Sequence, residues 1–186
     1  MVESVIVTLF PVLFLIVFFS GGERFRRQNI NMDGDPPIDR TWFYLSKYSM
    51  VVLWAAMAAH SWGLNLSFFP VPKPIKPVAL CLWLAGFLLL FMGRFGMGDS
   101  FRMGSPQEAT RLKTNGLFAF SRNPMYVGVY STLLAAILYT LNPIVLLLGA
   151  FIIAVHHKIV LAEEGYLRNV FGEEYATYCQ RVRRYL

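Results

Sequence analysis

The stretch Asn115–Gly128, NGLFAFSRNPMYVG, stands where a polar, basic segment stops and the last long apolar region begins. Pro124 follows Arg122 and Asn123, a place where proline suits the first turn of a helix, because its missing N–H would have no partner there. Arg122 puts a fixed positive charge at that helix mouth, and Tyr126 adds a ring and a hydroxyl just inside it. A cationic, hydrogen-bonding rim on an apolar helix is not what packing alone asks for. The stretch reads as one wall of a site, and the apolar runs around it as the frame.

Outward from it, 56% of the 186 residues are hydrophobic and 15% charged, against about 25% charged in a soluble domain. Five apolar runs stand out: Val5–Ser20, Trp42–Trp62, Pro77–Gly93, Met125–Thr140 and Pro143–Leu161. A spanning helix needs about 17–25 residues. The second, third and fifth runs reach that length; the first and fourth, at 16 residues each, are marginal. Backbone polar groups in lipid must be satisfied within the segment, so the runs are helices rather than open strands. The expected fold is all-α, a polytopic membrane protein with about five transmembrane helices in one integral membrane domain over residues 1–186. Residues 1–93 hold the first three helices, and residues 94–186 the half that carries the opening stretch.

The formal net charge of +6 does not point to nucleic acid, because the basic residues sit in short loops beside the apolar runs. Arg24, Arg26, Arg27 and Arg40 flank the first loop, and Arg94, Arg102, Arg111, Lys113 and Arg122 the third. The end from Lys158 onward is basic too, while the turn at 140–143 is not. Basic loops stay cytoplasmic, so the N-terminus is expected outside and the C-terminus inside. Cys81 and Cys179 read as plain thiols in different environments, not as a disulfide framework. The N-terminal run has Glu3 ahead of it and no basic leader, and so reads as a retained helix rather than a signal peptide.

Along the chain, the first helix is expected to end at Ser20-Gly21-Gly22, ahead of a turn-rich loop at Asp33-Gly34-Asp35-Pro36-Pro37. That loop lacks the frame and terminal Glu of a calcium site. Trp42 and Trp62 bracket the second helix as interfacial aromatics, Lys47 snorkels from within it, and His60 lies at its outer end. The third runs into Gly93, Gly96 and Gly98, which either terminate a helix or let the backbone approach another group. No strand precedes these glycines and no GxxxxGK follows, which excludes Rossmann and P-loop readings. Leu141-Asn142-Pro143 is short enough only for a tight helical hairpin. Gly128 and Ser131 with Gly149, Ala150 and Ala154 would let its two helices touch.

Glu163 and Glu164 stand at the inner end of the last apolar helix, where ionised groups are costly. An i,i+4 pair with Arg168 accounts for Glu164 but leaves Glu163 on another face, the one it shares with His156. No HExxH or cysteine cluster is present, so no metal site is expected. After Gly172, Tyr175, Tyr178 and Val182 recur at helical spacing, a C-terminal cytosolic helical segment expected to fold back over the mouth with Arg181, Arg183 and Arg184 toward water or anionic headgroups.

Taken together, GLFAFSRNPMYVG, AEEGYL and FGEEYATYCQRVRR resemble the isoprenylcysteine carboxyl methyltransferase and phospholipid methyltransferase superfamily of membrane enzymes. The family pattern is a glycine-led Arg-His-Pro-x-Tyr, a Glu pair, then Phe-Gly-x-x-Tyr-x-x-Tyr; here it covers residues 93–184. The resemblance implies S-adenosylmethionine as cofactor and methyl donor, bound at the cytosolic end of the last helices. It places Arg122, Asn123, Pro124 and Tyr126 in the cofactor-binding motif, Glu163 and Glu164 at the paired acidic positions, and Tyr175 and Tyr178 at the C-terminal ones. Gly96 and Gly98 correspond more loosely to the glycine-containing segment. Asn123 departs from the family His and can hydrogen-bond but not serve as a base near neutral pH.

Such an enzyme would carry a methyl group to a lipophilic or membrane-embedded acceptor: a prenylcysteine carboxylate, a phospholipid amine or a thiol. Glu163 and Arg122 are the catalytic candidates: Glu163, Glu164 and the tyrosines offer carboxylates and aromatic faces to the cationic donor, and Arg122 or an arginine of the end segment would hold the donor's own carboxylate. Small size and minimal loops favour a prokaryotic inner membrane over the endoplasmic reticulum. Two other readings compete. Membrane sterol and enone reductases, which use NADPH, resemble the same C-terminal pattern, and a non-catalytic protein would retain the fold alone.

Overall fold

The computed structural model describes residues 1–27, 36–97 and 112–186. Among the described residues five α-helices follow one another: α1 Val2–Arg27, α2 Arg40–Ser61, α3 Ile75–Met97, α4 Pro124–Thr140 and α5 Pro143–Arg181. A short 3-10 turn, Gly116–Ala119, leads into α4. The chain is an all-α membrane protein. Among the described residues, three helices are long and apolar enough to cross a bilayer: α1, α3 and α5.

Two length expectations change. The first run is not marginal, because its apolar span begins earlier than the sequence reading put it and covers the 18 residues Val2–Phe19; α1 itself continues through Gly21 and Gly22 to Arg27, since a glycine inside a helix costs only about 1 kcal/mol and does not by itself end it. The second run, though 22 residues as α2, is not among the helices apolar enough to cross. Serines, Lys47 and His60 dilute it. The 17-residue α4 is apolar but short.

Both turns around α4 are set locally. Pro124 takes the first turn of α4. At the far end Leu141 adopts a left-handed conformation, φ 41°, and Asn142 caps α5 by accepting from the N–H groups of Ile144 and Val145. Asn142 Nδ2 also donates to Leu66 O at 2.6 Å, which ties the hairpin to the connection after α2.

The core is aromatic. Trp54 of α2 packs on Phe87 of α3 at 4.9 Å between ring centroids and on Phe14 of α1 at 6.0 Å. Its indole N–H donates to Thr132 of α4 at 3.0 Å. The close helix pair, however, is α3 with α4. A Cβ on Gly128 would stand 2.7 Å from the Gly86 carbonyl oxygen, and one on Gly86 2.8 Å from that of Gly128. Ser131 donates to Leu82 O of α3 at 2.8 Å. Gly128 and Ser131 therefore serve α3, not the hairpin partner expected from the sequence; of the α5 small residues, Gly149 meets Ile137 of α4. Helical periodicity names a face without naming what lies opposite.

At the hairpin end, Ser4 donates to Ser61 O, Trp62 Nε1 to Thr8, and the Tyr139 hydroxyl to Glu3. His60 meets the Tyr139 ring edge-on at 5.5 Å. These contacts close one end of the bundle and leave the entrance of α4 at the other.

Candidate active site

At that other end the chain before α4, the middle of α5 and the C-terminal residues converge. The sequence-expected glycine break is real. Gly172 takes φ 50° and ψ −121°, outside helical values, and bends α5 so that its last turns pack back toward α4. Tyr175 and Tyr178 are buried there, and the Tyr178 hydroxyl donates to Phe118 O at 2.6 Å. Beyond Arg181 the chain is extended, with Val182 at φ −123° and ψ 130°. We call residues 182–186 the strap. It is pinned by the Arg122 N–H donating to Arg183 O at 2.9 Å.

Arg122 occupies the helix mouth but points inward. Nε donates to Glu164 Oε1 at 3.1 Å and Nη2 to Oε2 at 3.2 Å, while Nη1 donates to the carbonyls of Val182 at 2.9 Å and Cys179 at 3.3 Å. Burial works against its charge, but the hydrogen bond and charge of Glu164 outweigh that and hold the guanidinium above its usual range. Glu164 receives two further donors, Asn123 Nδ2 at 3.0 Å and Arg184 Nε at 3.0 Å. Asn123 Nδ2 also reaches Arg184 O at 3.2 Å.

Three expectations change here. Glu164 pairs with Arg122 and Arg184 rather than with Arg168. Arg184, read from the sequence as facing water or anionic headgroups, turns in to the site. The forked edge of Arg122, one of the arginines the sequence reading offered for a donor's carboxylate, is taken up by Glu164.

Glu163 faces the other way. Its Oε1 accepts from the Tyr126 hydroxyl at 3.0 Å, and Oε2 has no hydrogen-bond partner among the described residues. Tyr126 meets His156 edge-on, 5.9 Å between centroids, so His156 and Glu163 do share a face, through Tyr126. His156 Nδ1 contacts Ile152 O at 2.9 Å. Phe43, Val155 and Ile159 pack beside Tyr126, and Lys47 of α2 lies over the Phe43 ring at 3.7 Å.

One more group was not picked out from the sequence. The Tyr185 hydroxyl lies 2.7 Å from His157 Nδ1 and 3.4 Å from the Tyr130 hydroxyl, with its ring against both. Burial raises the Tyr185 phenol above its usual range. A tyrosine next to the last residue of a chain carries no periodicity, so no sequence signal singles it out.

The expected residues thus separate. Arg122, Asn123, Glu164 and the strap form an ion-pair latch; Tyr126 and Glu163 stand beside it; Tyr175 and Tyr178 underlie it. Gly96 is exposed in the last turn of α3, with open space where a Cβ would stand. Gly98 and the acidic turn at Asp33–Asp35 lie outside the described residues. Among the described residues no group of three His, Cys, Asp or Glu side chains is placed to hold a metal ion.

The sequence pattern of the phospholipid methyltransferase family matches residues 76–174, more than half of the chain. The chain belongs to that family. No curated protein and no solved structure matches it. The phospholipid methyltransferase match begins in the first turn of α3 and ends just beyond the Gly172 bend. It takes in the α4 entrance and both glutamates and leaves out α1, α2 and the strap. It makes the protein a membrane methyltransferase in kind.

Proposed function

We propose that this phospholipid methyltransferase family member moves a methyl group from S-adenosylmethionine to a lipophilic, membrane-embedded acceptor. The observation that carries the reading is the split between the two glutamates. Glu164 is saturated by Arg122, Arg184 and Asn123, whereas Glu163 accepts from Tyr126 alone among the described residues, with the Lys47 charge of α2 acting on it.

Those residues suit a sulfonium donor. A cation is attracted by a carboxylate and by aromatic faces, and Glu163 with Tyr126 offers both. The buried Tyr175 hydroxyl has no hydrogen-bond partner among the described residues; an orphaned buried donor of this kind is costly unless a ligand or water meets it. When bound, the donor supplies an electrophilic methyl group. The chain's part is to hold donor and acceptor in line, which for a displacement supplies much of the acceleration.

In this reading Arg122, Asn123 and Pro124 fix the entrance of α4, Glu163 and Tyr126 face the donor, and Tyr175 and Tyr178 close the site from beneath. Basic loops favour a cytosolic site with the N-terminus outside, so a lipid acceptor would approach between helices while the donor enters from water. Calorimetric titration of the detergent-solubilised protein with S-adenosylmethionine, and with NADPH in parallel, tests the reading. Binding of the first alone is expected. No heat and no thermal stabilisation at millimolar S-adenosylmethionine overturns it.

A further inference from the structure

The family match begins at residue 76 and leaves out α2, yet α2 supplies one wall beside Tyr126. Phe43, 1% exposed, packs against Val155 and Ile159 of α5, and Tyr126 of α4 lies against the same cluster. Lys47, one turn further along α2, reaches back over this ring, with Nζ 3.7 Å from its centroid. A lysine on the lipid face of a helix carries its ammonium out to the interface. This one holds it over a buried ring that faces α5, and the ring face attracts the cation.

From that place the Lys47 charge acts on Glu163 and on His156. Glu163 accepts from Tyr126, and Tyr126 meets His156 edge-on. Arg122 and Arg184, by contrast, are engaged with Glu164. Three helices thus bring an ammonium, a carboxylate and two rings to one place.

A cation beside Glu163 works against a cationic donor. Away from water two positive charges repel more strongly than they do in it, so Lys47 opposes the sulfonium that Glu163 attracts. An anion brought to Lys47 reverses this, because it offsets the ammonium and leaves the Glu163 charge to the donor. An acceptor carrying a carboxylate or a phosphodiester brings such an anion; a neutral amphiphile does not.

We propose that Lys47 binds an anionic oxygen group of the lipophilic acceptor, and that donor and acceptor thereby strengthen each other's binding. This rests on the methyltransferase reading above. Lys47 is then a specificity-determining residue that selects acidic amphiphiles over neutral ones. The coupling is reciprocal, since each ligand changes the other's affinity by the same factor.

The test is calorimetric titration of the full chain in neutral detergent with sinefungin, whose ammonium stands where the sulfonium would and which has no methyl group to give. Oleate or phosphatidylglycerol is expected to tighten sinefungin binding about tenfold; monoolein and inorganic phosphate are expected to leave it unchanged. S-adenosylhomocysteine, which lacks the extra charge, should respond to neither acid. Lys47→Met is expected to bind sinefungin more tightly than wild type when no acid is present, and to lose the coupling. Lys47→Arg, which keeps the charge, should retain it. A wild type unmoved by both acids, equal coupling in Lys47→Met, or an equal response to monoolein or phosphate overturns the proposal. A wild type that binds neither sinefungin nor S-adenosylmethionine counts against the methyltransferase reading instead. Oleate titrated without donor then still decides the site: about tenfold weaker binding to Lys47→Met is expected, and equal binding overturns it.

Discussion

Arg122 and Glu164 meet edge to edge, Nε 3.1 Å from Oε1 and Nη2 3.2 Å from Oε2, with side chains only 11% and 8% exposed. Removing either partner strands a buried charge, at a cost of about 3–5 kcal/mol. Glu164→Ala is expected to lower the unfolding midpoint in detergent steeply. Arg122→Lys should do so too, since an ammonium cannot make the forked contact. A Glu164→Ala protein as stable as wild type would show the latch to be incidental.

Glu163→Gln should behave in the opposite way. The amide oxygen still accepts from Tyr126, so stability is expected to stay within about 0.5 kcal/mol of wild type. A lost charge-assisted contact is worth about 1.5–3 kcal/mol, which lowers S-adenosylmethionine affinity about ten- to a hundredfold by calorimetry. Unchanged affinity would move the donor away from Glu163.

Asn123→His restores the family residue but breaks a double donation, because one amide nitrogen serves both Glu164 Oε1 and Arg184 O. Neither imidazole nitrogen can supply two protons. A loss of about 1 kcal/mol in stability is expected, with no gain in methyl-transfer rate. A faster enzyme with a new limb in its pH profile would mean that position 123 touches the acceptor.

Gly128→Ala would drive a methyl group to 2.7 Å from the Gly86 carbonyl oxygen. Backbone cannot yield as a side chain tip can, so α3 and α4 must part, at a cost of about 1–3 kcal/mol. Gly96→Ala, with open space at its Cβ, is expected to be neutral or slightly stabilising. Equal midpoints for the two variants would argue against the close α3–α4 approach.

Hydropathy, the proline at the α4 entrance and the glycine at 172 are signals written within a few residues of one another, and they made the helices, the hairpin and the returning C-terminus legible. What escaped was who faces whom. Glu164 finds Arg122 from 42 positions away and Arg184 from 20, whereas sequence spacing offered only Arg168 on the same helix. Gly128 was recognised as a contact residue but matched to the wrong helix, since a small residue says that something comes close and not what. Tyr185 gave no signal at all, because an irregular strap has no period to read.

The 17 residues of α4 measure about 26 Å at 1.5 Å per residue, against about 30 Å of hydrocarbon in a typical bilayer. A span that falls short is met by local thinning of the lipid or by polar side chains reaching outward. Arg122 and Tyr126 sit at the end of α4 where that shortfall would be felt. Hydrophobic mismatch would therefore draw the polar heads of neighbouring lipids down toward Tyr126 and Glu163, the depth at which the proposed acceptor would have to meet the site.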